Sequence, residues 1–240
     1  MITPKDILGH LPGGRILDVA TGSGSFIHFL LEGLPTYTEI IGLDVNERAA
    51  AAFATTFSDK PAIRFVLGDA MSPSFDASSF DLVCIANSLH HFDDPAALLQ
   101  QMLRVLRPGG HLLVAEMVRD EQTETQLTHV HLHHWWAAID SLNGITHHET
   151  YQRETLVAMV ENLGLEKLTF YDLADMSEDP KDPAILIQLD PVFERYLQRA
   201  AGHPELQARG AALRERVLST GFHSATTWVA LGGKPHVKTA

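Results

Sequence analysis

The sequence is short of cysteine, of basic residues and of long apolar runs. Its one cysteine, Cys84, excludes an intrachain disulfide framework and is typical of a reducing compartment. Lys and Arg number 18 against 30 Asp and Glu, so the formal net charge is -12, and the basic residues are scattered. Because nucleic acids and anionic membranes attract clustered Lys and Arg, we expect neither partner and predict a small-molecule substrate.

Targeting and linker signals are also absent. The first residues lack the basic-then-apolar pattern of a signal peptide, and no apolar run is long enough to span a bilayer. No stretch rich in Pro, Ser or Gly divides the 240 residues. These absences predict a cytoplasmic protein that binds neither membrane nor nucleic acid, and they leave a homodimer open.

The most informative stretch is I-L-D-V-A-T-G-S-G-S at positions 16–25, which predicts a strand, a glycine turn and the start of a helix. Gly22 and Gly24 would let the backbone turn tightly and approach a ligand that a Cβ would obstruct. A second apolar run, 39–44, ends in Asp44. Since an acid at the tip of the second strand suits the two hydroxyls of a ribose, the pair predicts a nucleoside-containing cofactor.

The details of the turn favour one cofactor over another. A dinucleotide fingerprint needs a third glycine, which does not follow Gly24 here. Asp18 instead lies inside the first strand, where it could orient the turn and accept a hydrogen bond from a cationic ligand. An acid followed by G-x-G resembles the first motif of the class I S-adenosylmethionine (SAM) methyltransferases. The form D-V-A-T-G-S-G is similar to the quinone-biosynthesis C-methyltransferase branch, with Ala20 where many relatives have glycine.

The resemblance continues to residue 118 and is weaker beyond it. A third strand, 63–70, carries the acid that the family uses at the adenine amino group, and a fourth, 80–87, leads toward the transferred methyl. A helix ending in P-G-G at 103–110 precedes a fifth strand at 111–118. The resemblance implies SAM as the cofactor, bound by Asp18, Ala20, Gly22, Gly24, Asp44, Val45, Asp69, Ala70 and Asn87.

Alternating strands and helices predict an α/β fold: a Rossmann-like, doubly wound, seven-stranded, mostly parallel sheet with a helical cap. Helices are predicted at 122–143, 153–163 and 191–218, and the last two strands, 165–173 and 225–231, form an antiparallel pair in the family. The predicted organisation is a SAM-binding core (1–118), a helical lid insertion (119–150), a core continuation (151–174), a helical cap insertion (175–222), and a final strand and tail (223–240). Because long insertions in compact domains tend to be functional, both helical insertions are expected to close over the methyl group and select the substrate.

The lid contains six of the 14 histidines within twenty residues. On a helix, His129, His133 and Asp140 share one face, whereas His131 and His134 share another; His147 and His148 follow after a break at Gly144. Three interpretations stay open. The cluster could hold a metal ion, one histidine oriented by Asp140 could act as an acid or base, or the side chains could pack beside Trp135 and Trp136. No H-E-x-x-H or paired C-x-x-C supports a metal, and no metal ligand is assigned.

A histidine pair also follows Asn87, at a position where relatives often carry one. One ring is expected to face the pocket, preferably His91, while His90 packs under the loop. The catalytic candidates are therefore His91, His133, Asp140 and His147. The predicted function is SAM-dependent methyl transfer to a small-molecule acceptor, with a His-rich helical lid over the active site. The resemblance to quinone C-methyltransferases implies a phenolic or enolic carbon as the acceptor, but it covers cofactor residues only, so the acceptor and the atom methylated stay open. The alternatives are a SAM-binding enzyme that does not methylate, such as a cyclase, and a regulatory SAM binder.

Overall fold

The computed structural model describes residues 2–236 and is built around one sheet. Its strands are β1 (Arg15–Val19), β2 (Glu39–Asp44), β3 (Ile63–Leu67), β4 (Phe80–Ala86), β5 (Leu106–Met117), β6 (Glu166–Leu173) and β7 (Thr227–Gly233). Their order is β3-β2-β1-β4-β5-β7-β6, parallel from β3 to β5, with β7 antiparallel to both β5 and β6. The predicted α/β fold, with its mostly parallel sheet and terminal antiparallel pair, is confirmed.

Helices cover both faces of the sheet because the central strands are apolar on both sides. The helices are α1 (Pro4–Leu8), α2 (Ser25–Gly33), α3 (Glu47–Thr56), α4 (Pro95–Val105), α5 (Glu124–Leu142), α6 (Arg153–Glu161), α7 (Pro183–Arg199) and α8 (Pro204–Ser219), with a 3₁₀ turn at Leu89–His91. One apolar cluster joins the sheet to α4 and α6, and a second joins it to α1, α2 and α3. Among residues 2–236, no helix is both long and apolar enough to cross a membrane.

Two predicted boundaries are wrong. The fifth strand begins at Leu106 rather than at 111, because Leu106 pairs with Phe80 and the N–H of Gly109 donates to the carbonyl of Lys234 at 2.8 Å. The predicted helix 191–218 is two helices, and the first of them begins at Pro183. Asp182 caps that start by accepting a hydrogen bond from the N–H of Ala184 at 2.8 Å, and α7 continues through the exposed Pro191.

Helices α5, α7 and α8 form a cap with an apolar cluster of its own. Trp135, Phe193 and Leu213 are buried in it, one from each helix. The indole N–H of Trp135 also donates to the carbonyl of Leu206 at 2.8 Å. Segments from the two predicted insertions, 119–150 and 175–222, therefore pack against each other as one body. The domain limits themselves remain a prediction. Residue 1 of the predicted core and residues 237–240 of the predicted tail lie outside the described residues.

Candidate active site

The glycine turn after β1 is fixed against the tip of β2. The backbone N–H of Gly22 donates to Oδ2 of Asp44 at 2.8 Å, and the N–H of Thr21 donates to the carbonyl of Leu43 at 3.1 Å. Gly22 has a φ of 54°, and a Cβ placed on it would meet no atom within 4 Å. The backbone at Gly22 is thus open to an approaching ligand, as the sequence predicts.

Gly24 has a packing role that the motif does not reveal. Its φ is 89°, and a Cβ at this position would collide with the ring of Phe57, the residue that follows α3. Ala20 also has a positive φ, 54°, a conformation that glycine adopts more easily than alanine. The glycine that many relatives carry at this position would therefore suit the observed backbone.

Asp44 has its second oxygen tied to the backbone as well. Its Oδ1 accepts from the N–H of Asn46 at 2.8 Å, and the carboxylate is half-buried at the end of β2. Each carboxylate oxygen can accept a further hydrogen bond, so two acceptor positions stay available for a diol. Val45, the next residue, is 69% exposed, which leaves an apolar surface beside these acceptors.

The other predicted cofactor residues lie at the same edge of the sheet. Asp69 and Ala70 follow β3, where Oδ1 of Asp69 accepts from the N–H of Met71 at 2.8 Å and Ala70 is buried. Asn87 follows β4; it is exposed, has a φ of 47° and donates its N–H to the carbonyl of Ala115 at 2.8 Å. The carboxyl ends of β1 to β4 thus present all nine residues together, at the position where open α/β sheets bind ligands.

Asp18 lies beneath the turn and is 1% exposed. Its Oδ2 accepts from the hydroxyl of Thr21 at 2.6 Å, and the thiol of Cys84 lies 3.5 Å from Oδ1. Burial raises the pKa of Asp18 to about 7, although these two hydrogen bonds act in the opposite direction. Asp18 therefore orients the turn from below, and its proton is held more tightly than in an unfolded chain.

This raised pKa predicts how stability changes with pH. Because the folded pKa exceeds the unfolded one, the protonated carboxyl stabilises the fold at low pH, and that contribution is lost as pH rises from about 4 to about 7. Asp18→Asn should remove this dependence. The difference in free energy of unfolding, variant minus wild type, should grow by roughly 1 kcal/mol per pH unit across the window, measured by urea denaturation. A constant difference would contradict the assigned pKa.

The lid histidines and Asp140 meet in a buried cluster. Nδ1 of His147 lies 2.7 Å from Oδ2 of Asp140, and Nε2 of His147 lies 3.4 Å from Nε2 of His133. Asp140 also accepts from the hydroxyl of Tyr196 at 3.1 Å and forms an ion pair with Arg199. Burial would raise the pKa of Asp140, but its bonds to His147 and Arg199 outweigh that effect and hold the pKa below its ordinary value. Asp140 is therefore ionised and orients the ring of His147.

The histidine pair after Asn87 is arranged differently from the prediction. His90, not His91, lines the cavity next to this cluster; it is 1% exposed, and its Nδ1 lies 2.9 Å from Oε1 of Glu116. His91 lies on the outer side, more than a third exposed, with its Nδ1 3.1 Å from the carbonyl of Thr146. The preference for His91 as the pocket-facing ring is wrong, because Glu116 on β5 draws the His90 ring inward. A catalytic role for His91 stays a prediction.

Burial keeps several of these imidazoles neutral. It lowers the pKa of His91 to about 4, and burial together with the neighbouring imidazoles lowers that of His133 to about 2. Burial also lowers the pKa of His129 to about 4. Neutral imidazoles offer lone pairs at physiological pH, so they can accept a hydrogen bond or bind a metal.

A cavity of about 240 Å³ joins the cofactor edge to the cap. Asn87 and Met117 line it from the ends of β4 and β5, and His129 and His133 line it from α5. A larger cavity of about 700 Å³ between α4 and α6 contains none of the predicted site residues. The smaller cavity is therefore the candidate acceptor site.

The six lid histidines divide between the site and its surroundings. His129, His133 and His147 reach the cavity or the cluster. The other three do not: His131 is exposed, His134 lies 3.0 Å from the hydroxyl of Thr150, and His148 lies 2.9 Å from Asp93. Sequence reasoning missed Glu116, Tyr196 and Arg199; only Glu116 gave a signal, as an acid inside an apolar strand.

Comparison with known proteins shows which families the chain resembles. A family profile described as "Methyltransferase domain" matches residues 17–114, and one described as "Anamorsin, N-terminal" matches residues 67–173. Demethylmenaquinone methyltransferase of Renibacterium salmoninarum is 37% identical over 112 residues, which are 46% of this chain and 44% of that protein. The ubiquinone/menaquinone biosynthesis C-methyltransferase UbiE of Idiomarina loihiensis is 26% identical over 184 residues, 70% of this chain and 72% of that protein. These matches show that the chain is similar to SAM-dependent methyltransferases, and the family profile covers residues 17–114.

Solved structures support the same fold over nearly the whole chain. A Bacillus halodurans protein matches with a TM-score of 0.62 at 20% identity, covering 94% of this chain and 95% of that one. The [4+2]-cyclase SpnF matches with a TM-score of 0.60 at 19% identity, covering 98% and 79%. The chain spans less than half the length of the first two relatives that it matches.

Proposed function

We propose that this protein is an enzyme that binds SAM and transfers its methyl group to a small-molecule acceptor beneath the helical cap. The observation that carries the proposal is that Asn87 belongs both to the cofactor edge of the sheet and to the lining of the cavity. The open turn at Gly22 and the carboxylate of Asp44 define a nucleoside site, and Asn87 leads from that edge into the cavity beside the histidine cluster.

In the proposed cofactor site, different residues bind the nucleoside part and the methionine part of SAM. Asp44 accepts hydrogen bonds from the ribose hydroxyls, and Val45 offers its exposed apolar surface to the adenine. Asp69 accepts from the adenine amino group, whereas Asp18 and Gly22 shape the turn that receives the methionine part. Asn87 lies nearest to the acceptor cavity, so the sulfonium methyl would enter the cavity at that residue.

The proposed reaction is an in-line displacement at the methyl carbon. An electron pair of the acceptor forms the new bond to that carbon, the carbon–sulfur bond breaks, and its electron pair stays on sulfur to give S-adenosylhomocysteine. The enzyme mainly has to align the acceptor and exclude water. Where the acceptor must also lose a proton, the cluster of His133, His147 and Asp140 lies next to the cavity to assist.

A phenolic or enolic acceptor fits this site best. Two relatives are named for demethylmenaquinone and for ubiquinone/menaquinone biosynthesis, and the neutral imidazole of His133 beside the cavity can accept a hydrogen bond from an acceptor hydroxyl. Helix α5 of the cap lines the cavity through His129 and His133, so side chains of this helix would select among such acceptors.

A methyl-transfer assay tests the proposal. The protein is incubated with SAM labelled in its methyl group and a panel of hydroquinones, phenols and enolisable ketones. We expect acceptor-dependent release of S-adenosylhomocysteine and a product that carries the label. Bound SAM with no release for any acceptor would favour a regulatory binder, whereas a product rearranged without the label would favour the cyclase-like alternative.

A further inference from the structure

We propose that His90, His133 and His147 bind a divalent transition-metal ion at the wall of the acceptor cavity. Each residue offers one ring nitrogen, and the three nitrogens lie within 4.8 Å of one another. The three come from different segments: the 3₁₀ turn after β4, helix α5 and the loop that follows it. The metal site stands on these contacts alone; only its role in catalysis rests on the proposed function.

The spacing of the nitrogens suits a metal ion. Two nitrogens at about 2.1 Å from one ion in tetrahedral geometry are about 3.4 Å apart. Nε2 of His133 and Nε2 of His147 are separated by 3.4 Å. Three histidines with a fourth position left open to water or substrate are a known arrangement of catalytic zinc sites.

Two of the three rings are oriented as metal ligands usually are. A metal-binding histidine almost always donates its other N–H to a carboxylate or carbonyl, which fixes the ring and its tautomer. Nδ1 of His90 lies 2.9 Å from Glu116, and Nδ1 of His147 lies 2.7 Å from Asp140. Both carboxylates are buried, and each is held by further bonds: Glu116 by the N–H of Leu89, and Asp140 by Tyr196.

The same bonds leave lone pairs without protons inside the cluster. With Nδ1–H donated to Glu116, Nε2 of His90 is a bare acceptor; it is buried and has no hydrogen-bond partner. Nε2 of His147 is bare for the same reason. One proton on His133 can satisfy only one of these two acceptors, whereas a cation satisfies all three nitrogens at once. Buried polar atoms rarely stay unpaired, so this arrangement favours a bound cation.

The ligand set indicates the class of metal. Three imidazoles without a coordinating carboxylate suit zinc, iron, nickel or copper rather than magnesium or calcium, which prefer oxygen ligands. His91 adds a ring at 4.3 Å, centroid to centroid, from His147, but its Nδ1 is bound to the carbonyl of Thr146. His129 also takes no part, because its Nδ1 accepts from the N–H of Ala225 at 3.0 Å.

The metal would act on the oxygen of the acceptor. His90 and His133 both line the cavity, so the open coordination position faces the space where the acceptor binds. A divalent ion lowers the pKa of a hydroxyl bound to it and holds that oxygen in place. We therefore infer that the acceptor presents a phenolic or enolic oxygen to the ion, next to the atom that is methylated.

Metal binding to the full-length, tag-free protein tests the proposal without SAM or any acceptor. The protein is first treated with a chelator and then titrated calorimetrically with Zn²⁺, and separately with Co²⁺ followed by visible absorption. We expect one Zn²⁺ per chain and a Co²⁺ ligand-field spectrum typical of a tetrahedral or five-coordinate nitrogen site. The double variant His133→Ala/His147→Ala should bind Zn²⁺ at least 100-fold more weakly.

A matched control removes two histidines that lie outside the cluster. His131→Ala/His148→Ala should bind Zn²⁺ as the wild type does, because both side chains are exposed. Glu116→Gln, which keeps all three ligands, should weaken binding by about 10- to 100-fold. Absence of stoichiometric binding, or equal losses in both double variants, would overturn the site. SAM affinity is measured on the same variants as a separate test of folding and of the proposed function. It should be unchanged in every variant, whether or not the variant binds the metal.

Discussion

Replacing Asp140 with asparagine is expected to lower kcat for methyl transfer by about 100- to 10,000-fold and to leave SAM affinity unchanged. Asp140 accepts a hydrogen bond from Nδ1–H of His147, which leaves Nε2 of that ring unprotonated and 3.4 Å from Nε2 of His133. An asparagine amide can donate to Nδ1 instead, and the proton then moves to Nε2. His147 could then neither accept a proton nor bind a metal. The measurement is S-adenosylhomocysteine release with the acceptor that the panel assay identifies.

The matched control for this prediction is Tyr196→Phe. Tyr196 bonds to the same carboxylate at 3.1 Å, but its loss leaves the contact between Asp140 and His147 in place. We expect kcat to change by less than about tenfold in this variant. Equal losses in Asp140→Asn and Tyr196→Phe, or a parallel loss of SAM binding, would show that Asp140 supports the cap rather than the reaction.

Replacing Asp44 with alanine is expected to weaken SAM binding by about 100-fold or more. The carboxylate fixes the glycine turn through the N–H of Gly22 and would accept hydrogen bonds from the ribose hydroxyls. Hydrogen bonds to a charged group contribute about 1.5 to 3 kcal/mol each, so loss of two of them accounts for a change of this size. Calorimetric titration with SAM and with S-adenosylhomocysteine measures the effect on both ligands.

Glu47→Ala is the control for the loss of charge. Glu47 is exposed at the start of α3, near Asp44 in the chain, and the change removes the same negative charge. We expect its SAM affinity to stay within about threefold of the wild type, because exposed charges in salt solution interact weakly. A loss in Glu47→Ala as large as that in Asp44→Ala would mean that net charge, and not the ribose contact, governs affinity.

The cofactor edge was predictable because it depends on local patterns. An apolar strand followed by a turn with Gly22, a second strand ending in Asp44 and a third strand followed by Asp69 fix side chains by short-range geometry. Parallel pairing then brings the carboxyl ends of those strands to one edge. The strict i,i+4 and i,i+7 spacing on α5 likewise placed His129, His133 and Asp140 on one face.

The partners of the histidines were not predictable because they come from distant segments. Glu116 reaches His90 only after β4 and β5 have paired, and Tyr196 reaches Asp140 only after α7 has packed on α5. No local pattern decides which ring of a His-His pair turns inward. The buried acid on the neighbouring strand decides it, and the sequence did not show that acid to be a partner of the pair.

Calorimetric titration of the wild-type protein with SAM, set against NAD⁺ under the same conditions, tests the central claim most directly. We predict one SAM per chain, no comparable binding of NAD⁺, and a SAM affinity that falls sharply in Asp44→Ala. Failure to bind SAM, or preferential binding of the nicotinamide nucleotide, would contradict the assignment of this edge of the sheet as a SAM site.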